Sequence, residues 1–472
     1  MIKRTLLFIL VIFSIQLTFA QSGYKIKVDI EDYASNELLL AYYLGDKQYI
    51  IDTVEQDQKG LFTFEGDEAL DCGIYLIVME PDNQFFQILI GEDDQNFSIK
   101  TQFKDPIEHM KFKGSEENEL FYKYLQFLEV KRQDAKELEE RYKADEKAKK
   151  EAIAKVTEKV EAYQNELLQK HRNSLTANVI LASKPVDLPE FEGTEEEVQT
   201  KKWRYMQRHY FDNIDLGNPC HLNTPYLFQR VDYYVNKLQV QHPDTISEAI
   251  DYVLEKMKPA PNTFKYYVIH FLNEAANSKL VGMDAVYVHL VNKYYAKGLT
   301  PWVEKEQLEK IVQNAKDLDP LLIGKQAPDI RLNQRDGTPI NLYDIKAKYT
   351  IMFFWRPDCG HCQKATPFMK EFYEKYHSKD IKIIAICTKF GDETENCWKY
   401  VDEKETGDWI HTVDKYHRSK FMKIYNIKAT PQIYILDKNK KIISKKIGAE
   451  QLPDVMDNII EQENNKLSNK EK

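Results

Sequence analysis

The sequence predicts a multidomain chain: an N-terminal antiparallel β-sandwich, a central α-helical domain and a C-terminal α/β domain. Three observations predict it. The 472 residues are too many for one hydrophobic core. The hydrophobic pattern alternates in the N-terminal quarter and then shifts to three-and-four spacing. From residue 322 onward, apolar strand-like runs alternate with helical stretches, the pattern of a sheet with helices on its faces.

Composition sets the bounds. A chain that is 43% hydrophobic and 30% charged suits soluble globular domains. Its 66 basic and 75 acidic residues give a net charge of −9, so no basic nucleic-acid-binding surface and no nucleic-acid partner are expected. Six cysteines are too few for a disulfide scaffold of this length, and each is judged individually.

The chain opens MIKRTLLFILVIFSIQLTFAQSG. Lys3 and Arg4 precede an apolar run over 6–15, and Thr18-Phe19-Ala20 supplies a small-residue cleavage site. Residues 1–20 therefore read as a secretory signal peptide. The alternative, an uncleaved membrane anchor, is opposed by a run shorter than the ~20 apolar residues of a span. Export places the protein in the periplasm or cell envelope, where disulfides form and persist.

Residues 22–113 form the predicted sandwich. Tyr24, Ile26, Val28 and Ile30 alternate with polar residues. Apolar runs follow at 38–44, 48–54, 61–66, 73–79, 85–90 and 96–100, broken by Gly45-Asp46 and Pro81-Asp82-Asn83. No clustered His, spaced acid pair or Gly-rich loop assigns chemistry here. Residues 115–318 form the helical domain. Ile153, Val156, Val160, Tyr163 and Leu167 fall three or four apart among Lys, Glu and Gln, an amphipathic helix with a solvated face. The histidines at 109, 171, 209, 221, 242, 270 and 289 have no i, i+4 partner, and Cys220-His221 lacks a second pair at zinc spacing, so no metal is expected. Cys72 and Cys220 lie in different regions and are expected as free buried thiols.

Residues 322–465 form the α/β domain, with a polar tail over 466–472. The stretch 323–345 predicts a hairpin turning at Asp336-Gly337. YTIMFFW (349–355) is a continuous apolar run that fits a strand buried on both faces. A helix to about His377, a strand over 381–387, helices from about Glu395 and up to about Tyr425, strands over 432–437 and 441–447 and a helix over 451–462 complete the alternation. Cys387, ending a strand, reads as a small core residue; spacing alone does not support pairing it with Cys397.

The chemistry-bearing motif is WRPDCGHCQKATP, residues 355–367. Cys359 and Cys362 form a C-x-x-C at the start of a helix, where the macrodipole and unpaired N–H groups favour thiolate. Gly360 and His361 lie between them, and a protonated His361 would stabilise the Cys359 thiolate further. C-x-x-C also marks structural zinc sites and structural disulfides, but zinc would need a second ligand pair, and no second C-x-x-C exists.

This motif resembles the thioredoxin superfamily, and more closely the exported thiol-disulfide oxidoreductases of the TlpA/ResA type. IGKQAP at 323–328, Phe354-Trp355 ahead of the motif, Pro367 five residues after Cys362, Thr430-Pro431 within KIYNIKATPQIYILDKNKKI and the insertion between 390 and 420 match that family. The N-terminal two-thirds is similar to the β-plus-helical extension fused to such domains. The resemblance implies a thioredoxin fold for the C-terminal domain, with Cys359 as attacking and Cys362 as resolving cysteine. It further implies a cis Pro431 packed against the disulfide and a Thr430 backbone that pairs with an extended substrate. Without it, Thr430-Pro431 reads as an ordinary trans turn before a strand.

The departures are specific. Asp358 stands where the family often has Trp, and its charge is expected to oppose Cys359 ionisation. Phe353 replaces the buried Asp of thioredoxins, and Ala365 replaces the Glu of ResA-type domains, so no base for Cys362 is named. The expected function is an extracytoplasmic thiol-disulfide oxidoreductase without cofactor, working as a reductase on envelope proteins, with a membrane thiol transporter as electron donor. A peroxiredoxin-like peroxidase is the first alternative, although the Pro-x-x-x-Thr-x-x-Cys element is absent: Arg356 and Met352 stand at its Thr and Pro positions. A non-enzymatic envelope assembly protein using the fold as a docking module is the second.

Overall fold

The computed structural model describes residues 23–468. The predicted signal peptide lies outside the described residues. Two compact units divide the chain: one runs to Tyr234 and regains Lys256–Thr263, and the other holds Val235–Glu255 and the chain from Phe264 on.

The first unit opens with eight strands: β1 (Tyr24–Glu31), β2 (Glu37–Leu44), β3 (Lys47–Glu55), β4 (Phe62–Gly66), β5 (Gly73–Met79), β6 (Gln84–Ile90), β7 (Asn96–Gln102) and β8 (Lys111–Lys113). They form two four-stranded sheets, in the orders β4-β1-β7-β8 and β3-β2-β5-β6. Alternate residues of both sheets, such as Ile26, Val28, Phe62, Leu40, Ile77 and Ile88, meet in one apolar cluster. The pairing departs from a purely antiparallel sandwich at one point, because β1 and β7 run parallel. The chain reaches β7 by crossing over from the other sheet, so no hairpin fixes its direction.

Helix α1 (Glu116–Arg141) starts at Ser115, whose side chain caps the Asn118 amide. Asn118 is fully buried. Its amide accepts from Leu89 N at 2.8 Å and donates to Leu89 O at 2.7 Å, covering the open edge of β6. Helices α2 (Glu146–Lys170), α3 (Leu175–Ser183), α4 (Glu195–His209) and α5 (Pro225–Asn236) follow. Tyr124, Leu167 and Ile180 pack α1, α2 and α3 together.

Cys72 and Cys220 are not free thiols: they form a disulfide with Cα atoms 4.6 Å apart. The turn after Cys220 returns beside β5, where Ile74 N donates to Asn223 O at 2.9 Å. Gly73 permits that approach, since a Cβ there would lie 2.5 Å from the Asn223 side chain. The closure is tertiary, and a separation of 148 residues carries no hint of it.

The second unit takes most of α6 (Pro243–Met257) and α7 (Pro261–Asn277), then α8 (Asp284–Leu290) and α9 (Lys305–Leu318). The α/β region follows as β9 (Arg331–Asn333), β10 (Pro339–Asn341), β11 (Tyr349–Trp355), α10 (Gly360–Tyr376), β12 (Ile381–Cys387), α11 (Thr394–Lys404), β13 (Ile410–Thr412), α12 (Phe421–Ile424), β14 (Gln432–Asp437), β15 (Ile442–Lys445) and α13 (Leu452–Ser468). Its main sheet has the order β13-β12-β11-β14-β15. Strands β11, β12 and β13 are parallel, while β14 and β15 are antiparallel to their neighbours. This is a thioredoxin-type α/β arrangement with β11 at its centre, buried at every position. Ile351, Phe353 and Trp355 face Met369 and Phe372 of α10. Met352 and Phe354 face Phe421 and Tyr425 on the other side.

Cys387 is also bonded, to Cys397 at the start of α11, rather than standing as a small core residue. This disulfide ties the end of β12 to the inserted helix. Among the described residues no helix is long and apolar enough to cross a membrane.

Candidate active site

Strand β11 ends at Trp355, and three residues later the chain starts α10 with Cys359 as its N-cap. The N-cap position has extended backbone (φ −99°, ψ 112°), and its sulfur accepts the Cys362 amide at 3.3 Å. A thiol takes the place of the usual Ser or Asp oxygen, so the helix's free N–H groups point at sulfur. Cys362 lies one turn on, inside the helix. Both are free thiols, Cys359 being 9% exposed and Cys362 only 1%.

The two sulfurs have opposite environments. Burial opposes ionisation of Cys359. Against it, hydrogen bonds from the Cys362 thiol, the Thr430 side chain and the Cys362 and His361 amides hold the Cys359 thiol below its ordinary range. Burial pushes the Cys362 thiol up to about 12, and its hydrogen bond to Cys359 adds to the rise. One sulfur is thus prepared as a nucleophile and the other is kept protonated.

The opposite wall comes from the loop before β14. The Thr430–Pro431 peptide is cis. The Cys359 thiol donates to the Thr430 carbonyl at 3.2 Å, so the Thr430 peptide lies directly beside the reactive sulfur. Trp355 closes the floor, 3% exposed, its ring 5.1 Å from that of Tyr400. Its carbonyl accepts from Thr388 N at 2.8 Å, which joins the ends of β11 and β12. Gly360 and His361 are exposed at the mouth. A Cβ at Gly360 would meet open space, so the fold itself does not require glycine there.

Asp358, expected to oppose Cys359 ionisation, is ion-paired, and Cys359 is held below its ordinary range. Asp358 pairs with Lys389 at 2.9 Å and lies 3.6 Å from Arg356. The Lys389 hydrogen bond holds its carboxyl below the usual range. Phe353 and Ala365, where the resemblance led one to look for acids, are part of the apolar cluster that includes both cysteines. Three neighbours of the dithiol escaped the sequence reading, Lys389, Thr366 and Tyr400, while the Cys387–Cys397 bond was weighed there but not supported by spacing alone. Lys389 comes from just after the end of β12, and Tyr400 from α11 in the insertion. Only the i, i+3 placement of Cys397 and Tyr400 on one helix could have signalled them. Among the described residues no group of three or more His, Cys, Asp and Glu is placed to hold a metal ion.

Three family models match the chain: Redoxin over 322–460, and two domains of unknown function, DUF4369 over 24–121 and DUF5106 over 144–319. The "Thiol-disulfide oxidoreductase ResA" of Bacillus cereus is 33% identical over 132 residues, covering 28% of this chain and 73% of that protein. This chain belongs to the TlpA/ResA-type thiol-disulfide oxidoreductases of the thioredoxin superfamily. As a member of that family it is an oxidoreductase enzyme. Among solved structures, a domain of a "possible thiol-disulfide isomerase" from Cytophaga hutchinsonii is 40% identical, covering 31% of this chain and 98% of its own, with a TM-score of 0.29. A thioredoxin-like protein from Bacteroides caccae is 20% identical, covering 58% of this chain and 98% of its own, with a TM-score of 0.45.

Proposed function

We propose that this TlpA/ResA-type enzyme works outside the cytoplasm, reducing disulfides of envelope proteins through the Cys359–Cys362 dithiol. The observation that carries the reading is the asymmetry of the two sulfurs, one at a helix N-cap with its pKa lowered and one buried with its pKa raised. Cys359 thiolate attacks a substrate disulfide. A Cys359–substrate S–S bond forms, the substrate's own S–S bond breaks, and the departing sulfur takes a proton. Cys362 then attacks Cys359, releases the second substrate thiol and leaves the Cys359–Cys362 disulfide. Trp355 and Pro431 wall the site, Thr430 offers its backbone to an extended substrate, and Gly360 and His361 leave the mouth open.

Export is supported by the signal-like segment over 1–20 and by the two further disulfides, which are stable only where thiols are not kept reduced. A membrane thiol transporter is the proposed source of electrons. The direction is tested by equilibrating the pair in defined thiol buffers and alkylating the free fraction. A potential near about −270 mV or below is the expected result for a reductase. A value near about −180 mV or above would assign it to oxidation or isomerisation instead.

A further inference from the structure

A cavity of about 210 Å³ opens between the end of β12 and α12, and no step of the exchange uses it. Its floor is apolar. Phe390 stacks on His417, with ring centroids 3.3 Å apart, and on the buried Phe421, 5.9 Å away. Lys420 and Lys423, both exposed, line the rim. Asp414 also lines it but is 5% exposed. Its two oxygens accept from Arg418 N at 2.9 Å, Ser419 N at 2.8 Å and Ser419 Oγ at 2.6 Å. That turn holds His417 and Lys420 in the left-handed region, at φ 56° and 54°. Residues other than glycine rarely adopt it, and such strain persists where the surroundings fix it.

The cavity is joined by the chain to both walls of the dithiol. Phe390 follows Lys389, whose Nζ is 2.9 Å from Asp358, the neighbour of Cys359. On the other side, α12 leads through Lys428 to Thr430, whose carbonyl takes the Cys359 thiol at 3.2 Å. The charge of this stretch is opposite to that of the chain. Residues 414–428 hold five basic side chains, Lys415, Arg418, Lys420, Lys423 and Lys428, and one acid, in a chain of net charge −9. Among the described residues neither Lys420 nor Lys423 has an ion-pair partner. Unpaired cations around an apolar floor complement a ligand that is anionic with an apolar centre.

We propose that this cavity is a specificity site for the disulfide substrate. It binds an acidic segment of the substrate polypeptide, seating one apolar side chain against Phe390 and pairing the flanking carboxylates with Lys420 and Lys423. The site rests on the exchange reading above and adds a substrate class to it. A segment bound there holds its cystine near Cys359, so the gain lies in encounter and orientation rather than in the exchange chemistry.

The test uses the reduced full chain and synthetic peptides joined as symmetric disulfides, with the loss of free Cys359 followed by mass spectrometry. One peptide carries Glu-Leu-Glu a few residues from its cysteine, a second carries Gln-Leu-Gln and a third Glu-Gly-Glu, each placed on either side of the cysteine. At low salt the Glu-Leu-Glu peptide should react about tenfold faster than Gln-Leu-Gln, and added salt should erase the difference. Combining Lys420→Gln with Lys423→Gln should erase it at low salt, whereas Lys420→Arg with Lys423→Arg should keep it. The Glu-Gly-Glu peptide should react severalfold more slowly than Glu-Leu-Glu. Each readout is a ratio within one protein, so general damage to the domain cancels. Equal rates for the acidic and neutral peptides, an unchanged ratio in the glutamine variant, or equal rates with Leu and Gly at the centre would overturn the proposal. So would reaction with hydroxyethyl disulfide but with no peptide. If the wild-type chain reacts with no disulfide at all, it is the exchange reading that fails.

Discussion

Cys359 and Cys362 are three residues apart and differ in almost every physical respect. Capping the helix gives Cys359 hydrogen bonds that favour its thiolate, whereas burial inside the helix outweighs those that reach Cys362. The motif and its helix start were legible in the sequence, because a buried strand, a break and a C-x-x-C fix the geometry locally. The electrostatics of Asp358 were not legible, because its partner Lys389 arrives from the end of another strand. A test follows at this scale. Lys389→Ala removes the counter-charge and leaves Asp358 beside the sulfur, so Cys359 ionises less readily. Its alkylation at pH 7 should slow by about two- to fivefold, the range of an exposed pair. Lys389→Arg should keep the wild-type rate. Alkylation rates followed by mass spectrometry check both.

Among the elements, the strands and helices of the α/β region followed from periodicity. The parallel β1–β7 pair and both extra disulfides did not, because each depends on a crossover or a return of the chain. The turn Pro219–Leu222 illustrates this. Sequence spacing showed only an adjacent Cys-His, whereas the fold bonds Cys220 to Cys72 and buries His221 to 2% exposure. Burial lowers the His221 imidazole from its ordinary 6.5 to about 4. A depressed folded-state pKa means the stabilisation is fully present above the unfolded value. It is lost as pH falls from about 6.5 through about 4. The loss should reach about 3 kcal/mol at pH 4. Denaturant unfolding at pH 7 and pH 4 should show it, and His221→Phe should flatten that dependence. An equal dependence in the variant would contradict the assignment.

Across the whole molecule, the dithiol lies in the last third, and the sequence assigned no chemistry to the residues before it. A physical link between helical and α/β regions is visible within the second unit. Lys445 at the end of β15 is 1% exposed and is ion-paired with Asp284 at the start of α8. It also donates to the Leu321 carbonyl. Nothing in a KIISKKI run distinguishes this buried lysine from its solvated neighbours, because the partner lies 161 residues away. Asp284→Ala leaves a buried cation without its counter-ion and should cost about 3–5 kcal/mol in thermal or denaturant unfolding.

The account as a whole rests on the division of labour between the two active-site sulfurs. It is tested most directly by alkylating the fully reduced protein across pH and resolving each cysteine by mass spectrometry. Cys359 should react with an apparent pKa below the ~8.5 of a free thiol. Cys362 should stay unreactive until far higher pH, its pKa lying at about 12. Two sulfurs titrating together near the free-thiol value, or Cys362 reacting first, would contradict it.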